Sequence, residues 1–151
     1  MATVEVTFTP LPAHVRTARL VATAVARRSG VDEALLDEVR LAVGEACSRA
    51  VEAHRRHCPA EPVKIEMTDQ GERFVVVVSD QAPTSNAALH GAAAGANGHG
   101  VATLVQGTDD AIPAGFGLAV ISGLADDVHV SSTSSGVSVR MSWPSATPTA
   151  T

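Results

Sequence analysis

The sequence predicts an α+β fold, a two-layer α/β sandwich in which helices cover one face of a mixed, mostly antiparallel sheet. Two long segments, 13–28 and 32–57, place apolar residues at helical spacing, and five short segments have the alternation or the β-branched content of strands. Helices and strands are segregated along the chain in the order β, α, α, β, β, α, β, β, which is typical of this architecture. The 151 residues are enough for one core, so we expect a single domain over residues 1–143.

Composition and charge exclude several classes of protein. Hydrophobic residues make up 45% of the chain and charged residues 18%, so wholesale disorder is excluded. Eleven basic and sixteen acidic side chains give a net charge of −5, which argues against a direct nucleic-acid or anionic-membrane binder. The N-terminus has no signal-peptide pattern, and no apolar run approaches the roughly 20 residues that span a bilayer. We therefore expect a cytoplasmic protein whose cysteines, Cys47 and Cys58, are reduced.

The first half of the chain is predicted to form a strand and two helices. Val4 to Phe8 alternates with a period of two, and the first helix ends at Ser29-Gly30, a C-terminal signal. Asp32 is the predicted N-cap of the second helix, whose last turn is basic, as the helix dipole favours. The apolar residues of this second helix form its predicted buried stripe, Leu35, Leu36, Val39, Ala42, Val43, Ala46 and Ala50.

The second half is predicted to form two pairs of strands separated by a segment of different composition. Residues 63–68 and 74–78 form the first pair, and the unbroken FVVVV indicates a central strand. Ala, Gly, Asn and His then dominate, so we expect a flexible lid at about residues 82–114. After it we expect a short helix with the stripe Leu118, Ile121 and Leu124, strands at 128–131 and 137–143, and a disordered tail at 144–151.

A polar stripe on the second helix is the first segment that could carry chemistry. Glu38, Glu45, Arg49 and Glu52 lie on one face beside the apolar stripe. From spacing alone this is a solvated face, with a Glu45–Arg49 pair worth roughly 0.2–0.5 kcal/mol.

Two further segments place an acid and two glycines at the ends of elements. Asp80 ends the predicted central strand, where a carboxylate can accept hydrogen bonds from a ligand or simply terminate the strand. Gly115 and Gly117 open a helix, a position that suits a phosphate or an ordinary turn.

In this order and with these gaps, the three segments resemble those of the GHKL (Bergerat) ATPase fold shared by histidine kinases and heat-shock chaperone ATPases. LAVGEACSRAVEAH is similar to the N-box helix, VVVVSDQAP to the first glycine box, and GFGLAVISGLADDVHV to the second. The similarity covers nearly the whole chain. Within this fold family, the chain more closely resembles the small anti-sigma-factor branch. The members of that branch are single-domain serine protein kinases that bind sigma factors and anti-sigma-factor antagonists.

The resemblance also implies roles for individual residues. Glu45 matches the N-box acid that would act as general base, and Asp80 matches the acid that bonds the adenine amino group. Ala82 stands at the first glycine of the first box, and the stretch from His90 to Ile112 would correspond to the lid over ATP. The residues beside the phosphates would be Gly115, Gly117 and Leu118.

The chain departs from the family pattern at two of these elements. Arg49 stands four residues after Glu45, where the family has an Asn whose amide oxygen helps to hold Mg²⁺. A guanidinium has only donors and stays charged, so it cannot ligate a cation. The Asp-x-Gly-x-Gly box reads Asp80-Gln81-Ala82-Pro83-Thr84, so both glycines that allow close approach are replaced. The sequence therefore indicates a degenerate ATP site.

Arg49 leaves two outcomes open. It could contact phosphate directly and allow metal-free nucleotide binding, or it could pair with Glu45, fill the pocket and leave a protein-binding scaffold. We favour the scaffold, because two elements are degraded and Arg pairs readily with a carboxylate one turn away. The resemblance implies that its partner is a sigma factor, a STAS-type anti-sigma-factor antagonist, or both, and it allows a homodimer. The alternative is an active ATP-dependent serine kinase of the antagonist, which would use ATP and Mg²⁺.

Three further side chains could suggest metal ligation. His54, His57 and Cys58 lie together at the end of the second helix, without a partner cluster elsewhere in the sequence. Such groups are usually incidental. We therefore expect no metal site, and no cofactor unless the nucleotide site is functional.

Overall fold

The structure, a computed structural model, describes residues 2–82 and 121–145. These residues form two long helices, a helical segment at 121–124 and a five-stranded sheet, and both long helices and all five predicted strands are confirmed. The helices are α1 (Pro12–Arg28) and α2 (Glu33–His57), and the strands are β1 (Ala2–Phe8), β2 (Val63–Asp69), β3 (Arg73–Ser79), β4 (Asp127–Thr133) and β5 (Gly136–Pro144).

The sheet has the strand order β1-β2-β3-β5-β4, with β3 at its centre. The central position predicted for the FVVVV segment is confirmed, because β3 is flanked by β2 and β5 and its Val76 and Val78 are buried. The four pairings among the described strands are all antiparallel, whereas the sequence predicted some parallel pairing. Two of the four pairings, β2–β3 and β4–β5, are hairpins, whose strands are antiparallel by construction.

The two helices form an antiparallel hairpin that starts and stops at local signals. Gly30 has a φ of 89° and ends α1 in the left-handed conformation, and the Val31 amide donates to the Ala26 carbonyl at 3.0 Å. Asp32 accepts a hydrogen bond from the Ala34 amide at 2.8 Å, which confirms the predicted N-cap of α2.

The core lies between the helix hairpin and the sheet. The predicted stripe of α2 is confirmed, with every member buried except Leu35, which packs at the edge of the core. Residues 121–124 are helical, and the Trp143 indole donates to the Leu124 carbonyl at 3.0 Å, which ties this helix to β5. The largest fully buried side chains are Trp143, Phe74, Ile65, Met67, Ile121 and Met141.

The opposite face of the sheet is largely polar. The Thr3 and Thr68 hydroxyls lie 3.1 Å apart across β1 and β2, and Lys64 pairs with Glu66 at 3.7 Å along β2. One buried face and one hydrated face are expected of an antiparallel sheet, and they complete the predicted two-layer α+β sandwich. Neither helix of the described chain combines the length and apolar content needed to cross a membrane.

Several predicted features lie outside the described residues. These are the segment from residue 83 to 114 of the predicted lid, the three residues Gly115, Gly117 and Leu118, and the tail from residue 146 onward. Ala82 is described and buried, so the chain is still part of the domain there. Pro144 belongs to β5, and the Ser145 amide donates to the Glu72 carbonyl at 2.9 Å, so ordered structure extends two residues past residue 143.

Candidate functional site

The centre of the candidate site is an ion pair between α2 and the residue that follows β3. The Arg49 Nη2 and Nη1 atoms donate to the Asp80 Oδ2 atom at 2.6 and 2.9 Å. The exposed fractions of the two side chains are only 8% for Arg49 and 2% for Asp80. The prediction that Arg49 pairs with Glu45 is wrong. Because a buried charge needs an opposite charge beside it, the guanidinium lies against the buried carboxylate rather than the more exposed one.

Asp80 is held by four hydrogen bonds. In addition to the two from Arg49, its Oδ1 atom accepts from the amides of Ala82 at 3.1 Å and Val137 at 3.3 Å. An ionised carboxylate offers about four acceptor positions, so this set fills them. The residue that was predicted to bond the adenine amino group therefore has no acceptor position left in this arrangement.

Burial and charge act in opposite directions on Arg49. Burial lowers the pKa of the guanidinium from its ordinary value, and the negative charge of Asp80 acts to raise that pKa. The guanidinium stays charged at neutral pH, because an arginine side chain is not deprotonated in proteins. The pair is thus a buried salt bridge, and removal of either partner would leave an uncompensated charge in a region of low dielectric constant.

Glu45, the predicted general base, lies one helical turn before Arg49 and is half-buried. Within residues 2–82 and 121–145 it makes no hydrogen bond or ion pair. Glu52, another member of the predicted polar stripe, pairs with Arg56 at 3.1 Å on the surface. The residues of the predicted stripe therefore do not share one environment. The glutamates are partly exposed to water, whereas the Arg49 side chain is buried.

Ala82 and Gly136 shape the backbone around Asp80. Every non-glycine residue in the described ranges has a negative φ, so Ala82 fits its position without a strained backbone. Gly136 has a φ of 154°, and a Cβ atom added there would lie 2.0 Å from the Asp80 carbonyl oxygen. The sequence marks Gly136 only as a turn residue before the last strand. Its close approach to Asp80 depends on the pairing of β5 with β3.

His54 is a second residue of the site whose role the sequence did not reveal. Its side chain is fully buried, its Nε2 atom accepts from the Gln81 amide at 2.8 Å, and its Nδ1 atom donates to the Glu61 carbonyl at 2.8 Å. A neutral imidazole has one donor and one acceptor, which matches these two partners. The position of His54 four residues after buried Ala50 is the one sequence signal that it faces inward.

The three candidate metal ligands do not form a metal site in this structure. Both ring nitrogens of His54 are already engaged by backbone groups. In the part of the chain that the structure describes, no three His, Cys, Asp or Glu side chains are placed to hold a metal ion. Burial raises the pKa of the Cys58 thiol, and the charges of Asp80 and Glu61 raise it further, so this thiol stays protonated at neutral pH.

Comparison with known families decides what kind of domain this is. The sequence matches the histidine kinase-like ATPase domain over residues 8–143, most of the chain. The chain belongs to the histidine kinase-like ATPase family. This result confirms the family that the three sequence segments indicated. No curated protein matches the sequence.

A solved structure supports the same fold for this family member. The chain is similar to the crystal structure of the RsbU and RsbW domains of Rv1364c from Mycobacterium tuberculosis, with a TM-score of 0.62 and 15% sequence identity. The likeness covers 99% of this chain and 35% of the other, so this chain spans about a third of that length. At this identity the likeness establishes the fold alone.

Membership of the histidine kinase-like ATPase family raises the question of whether the residues fit a magnesium-bound nucleotide. Arg49 presents only donors at the position where the family pattern has a metal ligand. Asp80 has used its acceptor positions on Arg49 and on two amides. In this arrangement the described residues do not fit the group in the way that the family pattern implies.

Proposed function

We propose that this chain is a regulatory protein of the anti-sigma-factor type that binds a protein partner without ATP. The observation that carries the proposal is the Arg49–Asp80 ion pair. In the family pattern Asp80 is the acid that bonds adenine, and here its carboxylate is already paired with Arg49. By the family resemblance, the partner is a sigma factor, a STAS-type anti-sigma-factor antagonist, or both. The cytoplasm is the compartment that such partners require.

Electrostatics at Arg49 supports the loss of metal-dependent catalysis. A fixed positive charge near a metal position repels Mg²⁺, and the repulsion is strong where the surroundings exclude water. Phosphoryl transfer depends almost wholly on positioning and on charge stabilised by metal. A site with this arginine therefore lacks the main source of rate enhancement.

Glu45 favours the alternative function, an ATP-dependent serine kinase that phosphorylates the antagonist. This acid is half-buried and has no partner within the described ranges, so it could still accept a proton. For the kinase to operate, the Arg49–Asp80 pair would have to open, and the desolvated charges oppose this.

Calorimetric titration with Mg-ATP separates the two functions. We expect no binding to the native chain, and we expect Arg49→Asn to gain Mg-dependent binding if Arg49 alone blocks the site. Arg40→Asn is the matched control, because Arg40 lies on the same helix and forms an exposed pair with Asp37 at 2.8 Å. Tight Mg-dependent binding by the native chain would reject the scaffold and favour the kinase.

A nucleotide-free binding assay tests the scaffold directly. Purified sigma factors and STAS-domain antagonists from the same organism are passed over the immobilised chain, with and without ATP. We expect retention of at least one of them, equal in both conditions. Retention only with ATP, or of none, would contradict nucleotide-independent binding.

A further inference from the structure

Three consecutive backbone amides at the end of β3 donate to three different acceptors. The Asp80 amide donates to the Val137 carbonyl at 2.9 Å. The Gln81 amide donates to the His54 Nε2 atom at 2.8 Å, and the Ala82 amide donates to the Asp80 Oδ1 atom at 3.1 Å. Two of these acceptors are side chains, so the conformation of this segment depends on side chains as well as on the sheet.

The Asp80 side chain also extends the pairing of β3 with β5 by one position. Its Oδ1 atom accepts from the Val137 amide at 3.3 Å, while the Val137 carbonyl accepts from the Asp80 amide. The Asp80 carbonyl oxygen itself faces Gly136, since a Cβ atom added to that glycine would lie 2.0 Å from it. A carboxylate oxygen therefore takes the place that a main-chain carbonyl has in a regular antiparallel ladder.

Arg49 determines where this carboxylate points. Both hydrogen bonds from Arg49 end on the Oδ2 atom, whereas the bonds from the Ala82 and Val137 amides end on Oδ1. The Asp80 side chain is 2% exposed, so water cannot replace a lost cation without a rearrangement. A carboxylate without its cation would have to turn toward water, which would withdraw Oδ1 from both amides. The effect of Arg49 on these amides therefore passes through Asp80.

We propose that Arg49 is an internal ligand, a positioning residue whose guanidinium orients Asp80 and thereby holds Ala82 and the start of β5 without a bound small molecule. The contact is also autoinhibitory, because a ligand that needs the Asp80 carboxylate must first displace a buried cation. The inference rests on the proposed function and deepens it. It gives a physical reason why the domain can present one conformation to a partner without ATP.

Residue-resolved hydrogen exchange tests the internal ligand in the full chain. The exchange rates of the Ala82 and Val137 amides are measured by NMR in the native chain and in Arg49→Met, which keeps a long side chain without its charge. We expect both amides to exchange at least about tenfold faster in the variant, because their common acceptor is no longer held. Unchanged rates at either amide would overturn the proposal.

Val39→Ala separates this local effect from a loss of overall stability. Val39 is fully buried on the same helix as Arg49, so its truncation leaves a cavity in the core. We expect the Val76 amide, in the central strand, to exchange faster in this variant, while the Ala82 and Val137 rates stay within about twofold of the native ones. If Val39→Ala accelerated these two amides as much as Arg49→Met does, the proposal would be rejected.

Arg49→Lys keeps the proposal testable if Arg49→Met does not fold. The lysine ammonium retains the positive charge but not the planar fork that places two donors on one oxygen. We expect the Ala82 and Val137 amides to exchange several-fold faster than in the native chain. The Gln81 amide, which donates to His54, should keep its native rate. Native rates at Ala82 and Val137, or an equal acceleration at Gln81, would contradict the proposal.

Addition of Mg-ATP to the native chain completes the test. We expect unchanged exchange at Ala82 and Val137, whereas slower exchange would show that a nucleotide, and not Arg49, holds this segment. Failure of the internal ligand differs from failure of the proposed function. Retention of a sigma factor or antagonist without ATP, with unchanged rates in the Arg49 variants, would reject only the internal ligand. The expected rates without any retained partner would reject only the proposed function.

Discussion

Arg49 and Arg19 lie on adjacent helices but end in opposite surroundings. Arg49 ends against Asp80, 92% of its side chain is withdrawn from water, and both partners have their charge compensated. Arg19 lies across Gly44 with no counterion in the described part of the chain. The first arginine is held by a buried counterion, whereas the second is held by packing across a glycine. The comparison shows that burial beside a carboxylate decides which of the two arginines is paired.

The largest expected effect comes from breaking the buried pair. Arg49→Met leaves the Asp80 carboxylate buried without its counterion, so we expect the free energy of unfolding to fall by about 3–5 kcal/mol. Urea unfolding followed by circular dichroism measures this change. Arg40→Met, which breaks the exposed pair with Asp37, should cost no more than about 1 kcal/mol. Similar losses in both variants would remove the distinction between buried and exposed arginines.

The backbone around Asp80 should be nearly as sensitive. Gly136→Ala forces a Cβ atom against the Asp80 carbonyl oxygen, so we expect a loss of about 2–3 kcal/mol in the free energy of unfolding. Gly71→Ala is the matched control, since Gly71 has a φ of 89° but nothing within 4 Å of the added atom. It should lose only about 1 kcal/mol. Equal losses would mean that the close approach at Gly136 has no cost of its own.

His54 tests whether the buried region depends on its polar contacts. His54→Leu keeps the bulk but leaves the Gln81 amide and the Glu61 carbonyl without partners, which we expect to cost about 2 kcal/mol in thermal or urea unfolding. His129→Leu, at an exposed histidine of β4, should change stability by less than about 0.5 kcal/mol. An unchanged free energy of unfolding in His54→Leu would show that the hydrogen bonds of His54 to Glu61 and Gln81 do not stabilise the fold.

Cys47 lies on α2, the helix of Arg49, and its pKa depends both on burial and on the charge of Arg19 on α1. Burial raises the pKa of this thiol from 9.0 to about 12, and the positive charge of Arg19 acts in the opposite direction, to lower that pKa. Above pH 9 the unfolded chain loses the thiol proton while the folded chain keeps it, so stability should fall with rising pH until about 12.

The slope expected from Cys47 is about 1.4 kcal/mol per pH unit in that range. Comparing urea unfolding of the native chain and Cys47→Ala at pH values between 9.0 and about 12 isolates it, as the variant lacks this thiol. The same slope in both proteins would assign the pH dependence to other groups.

The elements of the fold were predictable because their signals are local. Alternation in β1, the Asp32 cap and the glycine at the end of α1 each act within a few residues of themselves. The unbroken apolar run of β3 also indicated its central place, because a strand without alternating polar residues is typical of one that is covered on both faces.

The partners within the candidate site were not predictable in the same way. Helical spacing places Glu45 one turn from Arg49, and by spacing alone these two should pair. Burial reverses this choice, because Glu45 can remain hydrated while Asp80, 31 residues further along the chain, is buried and needs a cation. His54 and Gly136 entered the site for the same reason, through the packing of α2 and β5 around the end of β3.

The sequence by itself determined the family, the order of the elements and the substitution of the metal ligand by an arginine. Only the tertiary structure decided which carboxylate that arginine neutralises. Periodicity and capping depend on neighbours a few residues apart, and they can be read along the chain. The pairing of a buried charge depends on which distant elements pack together, since desolvation makes any unpaired charge costly wherever it comes from in the sequence.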